Sequence, residues 1–565
     1  MPDRDRSSRA VEGLRRELTR RFATAATRFG GDAAALPDVV VVPARDASHG
    51  DFSTAAALAA GKAWRRNPLE IAQAVVDVDG GAFGAARLSV AKPGFINIRM
   101  GAEFWQASVS DVLARGADYG TTSELAALGP INLEFVSANP TGPVVVVQGR
   151  SGSIGATLAQ LFRYAGAQVT TETYVNDAGT QLDLLADSLF ARYATLCGLE
   201  TQLPDDGYPG EYLADIAREL KARDGDRWLN VGPTERRLAL GLFARERIVE
   251  QQRTDLEQFR VHIDVWSSER ALHGAGKIDE GIEFLLREKA AFERDGAVWL
   301  RSTQFGDDKD RVLRRSDGRP TYLAADVAYH RDKFERGAKH LIDVLGPDHH
   351  GYIKRLEAIA AALGRPGCIE VLIVQHVTLK RGAEQVAMSK RAGNLVTLRE
   401  IVDEVGADAA RFFFIERAPE SPMAFDLQLA VEQSAKNPVY YVQYGHARIA
   451  SILRKAAETG RASALERASR GADVPQLTHE AEIALARRMA DFSRTVVDAA
   501  RARAPHRVAE FARNLATDFH AFYTACAVLG EDEALTSARL SLCLAAKTVL
   551  AAALRLLGVS APEKM

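Results

Sequence analysis

Residues 131–175 constrain the fold most. Ile131-Asn-Leu-Glu-Phe-Val136 alternates as a strand, and Ser137-Ala-Asn-Pro-Thr-Gly-Pro143 then breaks it. Ile154, Leu158, Leu161, Phe162 and Ala165 recur at helical period and stop at Gly166, after which 168–175 return to a strand. A strand, a Gly/Pro turn, a helix and a strand make a βαβ unit, which commits the chain to α/β architecture with a parallel sheet. Further strands are expected at 341–345, ending in Gly346, and at 370–378.

Different patterns flank this core. Residues 1 to about 24 place Val11, Leu14, Leu18 and Phe22 at helical spacing among seven arginines, an amphipathic helix whose charged face is either solvated or set near phosphates. A small mixed domain follows, with helices expected at 52–64 and 67–77 and a strand at 94–99, ending near residue 110. From Leu429 to Leu557 the chain reads as a helical bundle rich in Ala, Leu and Arg, with a polar linker at about 463–475. The 565 residues suit about three or four domains at roughly 150 each.

Composition removes several classes. With 72 Lys and Arg against 74 Asp and Glu, no uniformly basic coat exists, although one domain can still carry a basic patch. Cys197, Cys368, Cys526 and Cys543 are scattered without a C-x-x-C, so neither a zinc site nor a disulfide framework is expected. No run of 18 apolar residues appears, and the first twenty residues mix Arg with Asp and Glu, so a cytoplasmic chain without signal peptide or membrane span is expected.

Four stretches carry chemistry by residue type. The turn 137–143 sits where open α/β sheets bind ligands, and its following helix would offer amides to a phosphate or carboxylate; a mere connection is the competing reading. Met388-Ser-Lys-Arg-Ala-Gly-Asn394 is either a loop that clamps a polyphosphate or a solvated surface loop. Tyr322 and Asp326 share a helix face and suit a guanidinium, with Glu134 as a second carboxylate, unless they form an ordinary surface pair. Asp348-His349-His350 after a strand suits a polar ligand better than a metal, because no third ligand has fitting spacing.

Together these stretches resemble the arginyl-tRNA synthetases, a class I aminoacyl-tRNA synthetase family, over essentially the full length. The resemblance rests on Val136-Ser-Ala-Asn-Pro-Thr-Gly-Pro143, Tyr174-Val-Asn-Asp-Ala-Gly179, Phe305-Gly-Asp-Asp-Lys-Asp-Arg-Val-Leu313, Tyr322-Leu-Ala-Ala-Asp326, Asp348-His-His-Gly-Tyr352 and Met388-Ser-Lys-Arg-Ala-Gly-Asn394. Asn437-Pro-Val-Tyr-Tyr-Val-Gln-Tyr444, His446-Ala-Arg-Ile449 and the terminal Leu557-Gly-Val-Ser-Ala-Pro-Glu-Lys-Met565 extend it into the bundle. It implies a small α+β N-terminal domain that meets the tRNA elbow (1–110), a Rossmann-like catalytic core with an inserted segment (111–430) and an all-helical anticodon-binding domain (431–565). By family pattern Glu134, Ser137, Asn139, Tyr322 and Asp326 hold arginine. Asp348, His349, Met388, Ser389 and Lys390 belong to the ATP side, and Tyr440, Tyr444, Arg448 and Arg454 face tRNA. The implied partners are arginine and tRNA(Arg), the implied state is a monomer, and a further protein partner is left open.

One departure stands out. Where the family opens its helix with His-x-Gly-His, this chain has Val145, Val146, Val147 and Gln148. Valine donates nothing to a phosphate, Gln148 donates one uncharged hydrogen bond, and the Val147 side chain intrudes where adenine would lie on a glycine. In the loop, Ala387 replaces the first lysine of Lys-Met-Ser-Lys, leaving Lys390. Upstream, Gly129-Pro-Ile131 lacks a compensating lysine, and Ala55 replaces an asparagine of the N-terminal domain. Damage confined mostly to ATP gives the expectation of a synthetase-like paralogue that binds tRNA and arginine or an arginyl group, with arginine adenylation weak or lost. The alternative is a working arginine–tRNA ligase in which Lys390, Gln148 and a magnesium ion carry the ATP phosphates. ATP and Mg2+ are expected only in that second case.

Overall fold

A computed structural model describes residues 6–36, 38–44, 46–84, 86–386 and 396–565. Five strands form the central sheet: β1 (Ile131–Glu134), β2 (Val169–Val175), β3 (Val265–Ser268), β4 (His340–Leu345) and β5 (Ile369–Ile373), in spatial order β5-β4-β1-β2-β3. Every pairing is parallel. β1 is buried throughout, as a strand covered on both faces must be. Helix α1 (Val146–Tyr164) makes the crossover from β1 to β2 and buries Ile154, Leu158, Leu161 and Phe162. It starts eight residues before the apolar periodicity becomes visible at Ile154. After β3 the chain returns to the other side of β1 through α2 (Tyr322–Glu335) and β4. The strand order therefore reverses between β1 and β4, and their carboxyl ends frame the crevice where ligands enter such sheets.

The β2–β3 and β3–β4 connections carry inserted structure. Helices over Thr180–Leu196, Tyr212–Asp224 and Pro233–Gln258 close on their own core of Leu185, Leu189, Tyr193, Leu213 and Leu240. A three-stranded antiparallel sheet over 291–314 packs with residues 278–285 and α2. The stretch 370–378 is not one strand. β5 ends at Ile373, and Val377–Arg381 joins a separate sheet. Between them the Gln375 carbonyl accepts from Arg150, a fully buried guanidinium that also holds the carbonyls of Ala418 and Ser421.

Helix α3 (Ala407–Glu416) leads from the core into the bundle. The bundle includes α4 (Pro438–Glu458), α5 (His506–Ala525) and α6 (Glu533–Leu557). The stretch expected as a linker at 463–475 is largely structured: Ala462–Ser469 is a helix that buries Ala464 and Ala468. α6 is long and apolar enough to cross a membrane, yet 72% of that window is buried inside the bundle, so it reads as a core helix.

The N-terminal region pairs a helix over Arg6–Phe29 with helices Ala56–Trp64 and Pro68–Asp77 on a five-stranded antiparallel sheet. Leu14, Leu18, Phe22 and Ala25 face inward, as their spacing requires. Residues 52–54, expected as helix, form a strand instead, and the strand Ala86–Ala91 pairs with Phe95–Met100.

Candidate active site

Three carboxylates lie side by side across the sheet. Asp343 of β4 is in register with Glu134 of β1, and Glu134 is in register with Glu172 of β2. All three are buried. Like charges in such a row repel, and burial adds a desolvation cost. α2 supplies the compensation through Lys333 and Arg336, three residues apart and so on one helix face. Lys333, with 0% of its side chain exposed, places Nζ 2.6 Å from Glu134 Oε2 and 3.1 Å from Asp343 Oδ1. Arg336 reaches both oxygens of Glu172 at 2.8 Å, where Ser267 and Asn132 also donate. Burial works to raise the pKa of Asp343, but Lys333 and His330 win and hold it well below the usual carboxylate range. Burial likewise opposes ionisation of Glu172, and Lys333, Ser267 and Arg336 together hold its pKa down.

His330, also buried, places Nε2 3.2 Å from Asp343 and Nδ1 2.7 Å from the Asp326 carbonyl. Burial disfavours its charged form, yet the Asp343 hydrogen bond and charge raise its pKa. The same helix turn thus fixes the backbone of Asp326, whose carboxylate accepts from the Tyr352 hydroxyl at 2.8 Å. Burial raises the pKa of Asp326 against the pull of His330 and Tyr352, and the Glu134 and Glu269 charges add to the rise. No cation in the described chain pairs with it at ion-pair distance.

The turn after β1 is backbone-strained. Val136 and Ser137 have φ of 73° and 37°, a region L-residues rarely adopt, at a cost on the order of 1–3 kcal/mol each. Hydrogen bonds over-determine it. Ser137 Oγ donates to Glu134 Oε1 at 2.7 Å and accepts from Tyr174 N–H at 3.2 Å, while Ser137 N–H donates to Thr173 Oγ1. Gln252 holds the carbonyls of Asn139 and Gly142, and Tyr212 donates to that of Thr141. Asn139 is left with its side chain exposed.

At the start of α1 the three valines are placed differently. Val145 forms a β-bridge with Thr397, Val146 is buried and its N–H donates to Val396 O, and Val147 is half-buried. Gln148 Oε1 accepts from Val145 N–H at 2.9 Å, so the residue expected to serve phosphate also closes its own helix end. The N–H groups of Val147 and Gln148 have no hydrogen bond among the described residues. They are the orphan donors of a helix N-terminus. Leu398 N–H donates to Val144 O, so the segment 396–398 is pinned along this helix start. Met388, Ser389 and Lys390, with Ala387, lie outside the described residues.

Other sequence-singled residues divide. Tyr322, on the same helix as Asp326, is 73% exposed, whereas the Asp326 carboxylate is engaged by Tyr352. Asp348 and His349 are exposed on the short turn Pro347–Tyr352 beyond β4, with the His349 ring edge-on to Tyr352. In the bundle, the Tyr440 and Tyr444 rings stack at 6.2 Å and Tyr444 stacks on His520 at 5.9 Å. Arg448 donates to the Tyr444 hydroxyl and lies over the Tyr523 ring. Arg454 is turned to the Glu563 carbonyl of the C-terminal tail.

Sequence reading missed Glu269. It opens a helix just after β3, capped by Ser268, at the carboxyl edge of the sheet. It is 5% exposed, and its one ion-pair neighbour among the described residues is His273 at 3.7 Å. Burial pushes the Tyr174 phenol up, and the Glu269 and Asp326 carboxylates push it further. The available signal was an acid immediately after Val265-Trp-Ser-Ser268, close in place to Glu134 at the end of β1. Lys333 was missed as well.

An open parallel sheet with its crevice at a strand-order reversal, inserted helical segments and a terminal helical bundle is the architecture of a class I aminoacyl-tRNA synthetase. The family described as "tRNA synthetases class I (R), catalytic domain" matches residues 108–452, with "Arginyl tRNA synthetase N terminal domain" at 16–100 and "DALR anticodon binding domain" at 442–565. An arginine–tRNA ligase of Desulforudis audaxviator is 44% identical over 556 residues, covering 98% of each chain. One from Bacillus subtilis is 43% identical over 533 residues, covering 94% of this chain and 95% of its own. The fold is also that of the Thermus thermophilus arginyl-tRNA synthetase, at TM-score 0.74 and 24% identity over 98% of this chain and all of the other. The chain belongs to the arginyl-tRNA synthetase family.

This corrects the expectation of a paralogue that has lost adenylation. Identity above 40% spread over nearly the whole chain, to relatives named as arginine–tRNA ligases, favours the working ligase. The error was to weigh side chains alone, because the amides of Val147 and Gln148 remain as donors whatever side chains they carry.

Proposed function

We propose that the protein is an arginine–tRNA ligase. An arginine carboxylate oxygen attacks the α-phosphorus of ATP and diphosphate leaves; a hydroxyl at the tRNA 3′ end then attacks the adenylate carbonyl and AMP leaves. The observation that carries this reading is the match to arginine–tRNA ligases along 98% of the chain.

The site supports it charge by charge. Glu134, Asp343 and Glu172 are already paired with Lys333, His330 and Arg336, whereas among the described residues Asp326 has no cation at ion-pair distance and Glu269 has only His273. A guanidinium, a planar fork that pairs with carboxylates, fits between these two. Glu134 and Ser137 act by shaping the strained turn that presents Asn139. The arginine α-amino group is assigned to Asn139, and Tyr322 is assigned to cover the side chain once substrate is present.

At the phosphates, the free N–H groups of Val147 and Gln148 and the N-terminal dipole of α1 take the part that side chains would otherwise play. Lys390 is assigned to add positive charge to the phosphates, and Asp348 and His349, beyond β4, are assigned to the nucleotide. Among the described residues no three acidic, His or Cys side chains form a metal-holding group, so magnesium would be held through the ATP phosphates.

On the tRNA side, residues 1–110 are assigned to the elbow and 431–565 to the anticodon stem and loop. Tyr440, Tyr444, Arg448 and Arg454 form the contact, with splayed bases extending the aromatic stack. The reading is of a cytoplasmic monomer acting on tRNA(Arg). Charging of purified tRNA(Arg) with labelled arginine tests it: transfer that requires ATP and is absent with citrulline is expected, and failure to charge at saturating ATP, arginine and tRNA would overturn it.

A further inference from the structure

Away from the crevice, where the core meets the bundle, a cavity of about 200 Å³ is lined by Gln160, Arg163, Arg260, His262, Arg411 and Arg555 among others, and by no acidic side chain. Arg163 pairs with Asp264 at 3.2 Å, and Arg260 pairs with Asp408. Among the described residues Arg411 and Arg555 form no ion pair with a carboxylate. Arg411 Nε donates to Leu557 O at 2.8 Å, and Nη1 donates to the carbonyls of Phe259 and Arg260 at 3.1 and 3.0 Å. Arg555 reaches the Tyr164 hydroxyl and the Ala117 carbonyl.

A structural role explains part of this. Leu557 and Phe259 end two helices, and a cation at their carbonyls satisfies both termini. That accounts for Nε and Nη1 of Arg411. It leaves Nη2 with no hydrogen bond among the described residues, and it leaves Arg555 without a counter-charge. Arg411 is only 1% exposed, a costly place for an unbalanced guanidinium. Burial, with Arg260 close by, pushes its pKa down to about 9. Four guanidiniums and His262 thus meet three carboxylates, Asp264, Asp408 and Glu257, the last 2.8 Å from His262, which leaves an excess of positive charge around one partly enclosed space.

We propose that this cavity binds a phosphate dianion, taken up as free inorganic phosphate, between Arg411 of the core and Arg555 of the bundle. A phosphate carries about −1.5 to −2 at pH 7, so the excess positive charge attracts it, and its oxygens suit guanidinium forks. Because α3 carries one arginine and α6 the other, the anion rivets the last bundle helix to the core. The site depends on these residues alone and not on the ligase reading.

The test is thermal unfolding of the full chain titrated with inorganic phosphate, against sodium chloride at matched ionic strength. A saturable stabilisation by phosphate is expected. Arg555→Gln should raise the half-saturating concentration at least ten-fold. Gln160→Glu, an exposed substitution that supplies its own anion to the cavity, should melt higher without phosphate and respond little to it. A phosphate response no larger than that of chloride, or one unchanged by both substitutions, overturns the proposal. A third arm repeats the phosphate titration with excess tRNA present. An undiminished response supports free phosphate as the occupant, whereas its loss in the unmodified protein would assign the cavity to a nucleic-acid backbone phosphate and overturn that choice.

Discussion

Replacing Lys333 by methionine tests whether α2 holds the acid row together. Methionine keeps most of the volume, so the cavity penalty is small and the effect is electrostatic. Unit charges 4 Å apart attract by about 4 kcal/mol at an effective dielectric of 20, and Nζ lies closer than that to both Glu134 and Asp343. Desolvation offsets part of this, and removing one partner of a buried pair costs about 3–5 kcal/mol. The pH dependence fixes the cause. In the unmodified protein the depressed Asp343 contributes stability that is present above its unfolded pKa of about 3.9 and lost as pH falls through the folded value. Without Lys333, one carboxylate of the adjacent pair takes a proton and its folded pKa rises above the unfolded one. Ionising it then removes stability as pH rises, so the gap between variant and parent should widen from pH 5.5 to 8. Native-state hydrogen exchange of the α2 and β4 amides reads this locally. A loss of about 3 kcal/mol or more at pH 8, partly recovered by adding Glu134→Gln, is expected. A loss below about 1 kcal/mol, or a gap independent of pH, would refute the reasoning.

Three more outcomes are expected. Glu269→Gln should raise the KM for arginine about 10- to 100-fold, the equivalent of one charge-assisted hydrogen bond, with a smaller change in the KM for ATP; equal KM values in variant and parent would remove Glu269 from arginine binding. The raised pKa of His330 contributes stability that is complete below about pH 6.5 and lost as pH rises through the folded value, so His330→Gln should flatten the decline in urea midpoint between pH 6 and 8.5. Tyr444→Ala should weaken tRNA binding by about 1–3 kcal/mol at fixed salt while leaving arginine KM unchanged, and filter binding at several salt concentrations separates that stacking loss from phosphate contacts.

What was legible in the sequence was local. The βαβ unit could be read because β1 alternates, a Pro/Gly turn follows and the α1 periodicity ends at Gly166. The strand at 86–91 escaped, since it is short, carries small alanines at both ends and is held by pairing with Phe95–Met100. Residues 462–469 look like linker because only Ala464 and Ala468 carry the packing signal, and alanine is a weak one. Glu134 was visible as an acid at a strand end, but its partner Lys333 lies 199 residues away on a helix, a separation that no spacing rule bridges. Tyr322 and Asp326 satisfy the i, i+4 rule, yet helix position alone left the ring in solvent. The valines at 145–147 misled because side-chain identity says nothing of the amides behind them.

The central claim is that backbone donors at the α1 start, with Lys390, sustain adenylation without the His-x-Gly-His side chains. Arginine- and tRNA-dependent ATP–diphosphate exchange, measured for the unmodified protein beside the Val145→His, Val147→Gly, Gln148→His triple variant, tests it most directly. The account predicts ready exchange by the unmodified protein, changed no more than about ten-fold, or 1.4 kcal/mol, by the triple substitution. Silence from the unmodified protein with exchange restored in the variant would contradict it.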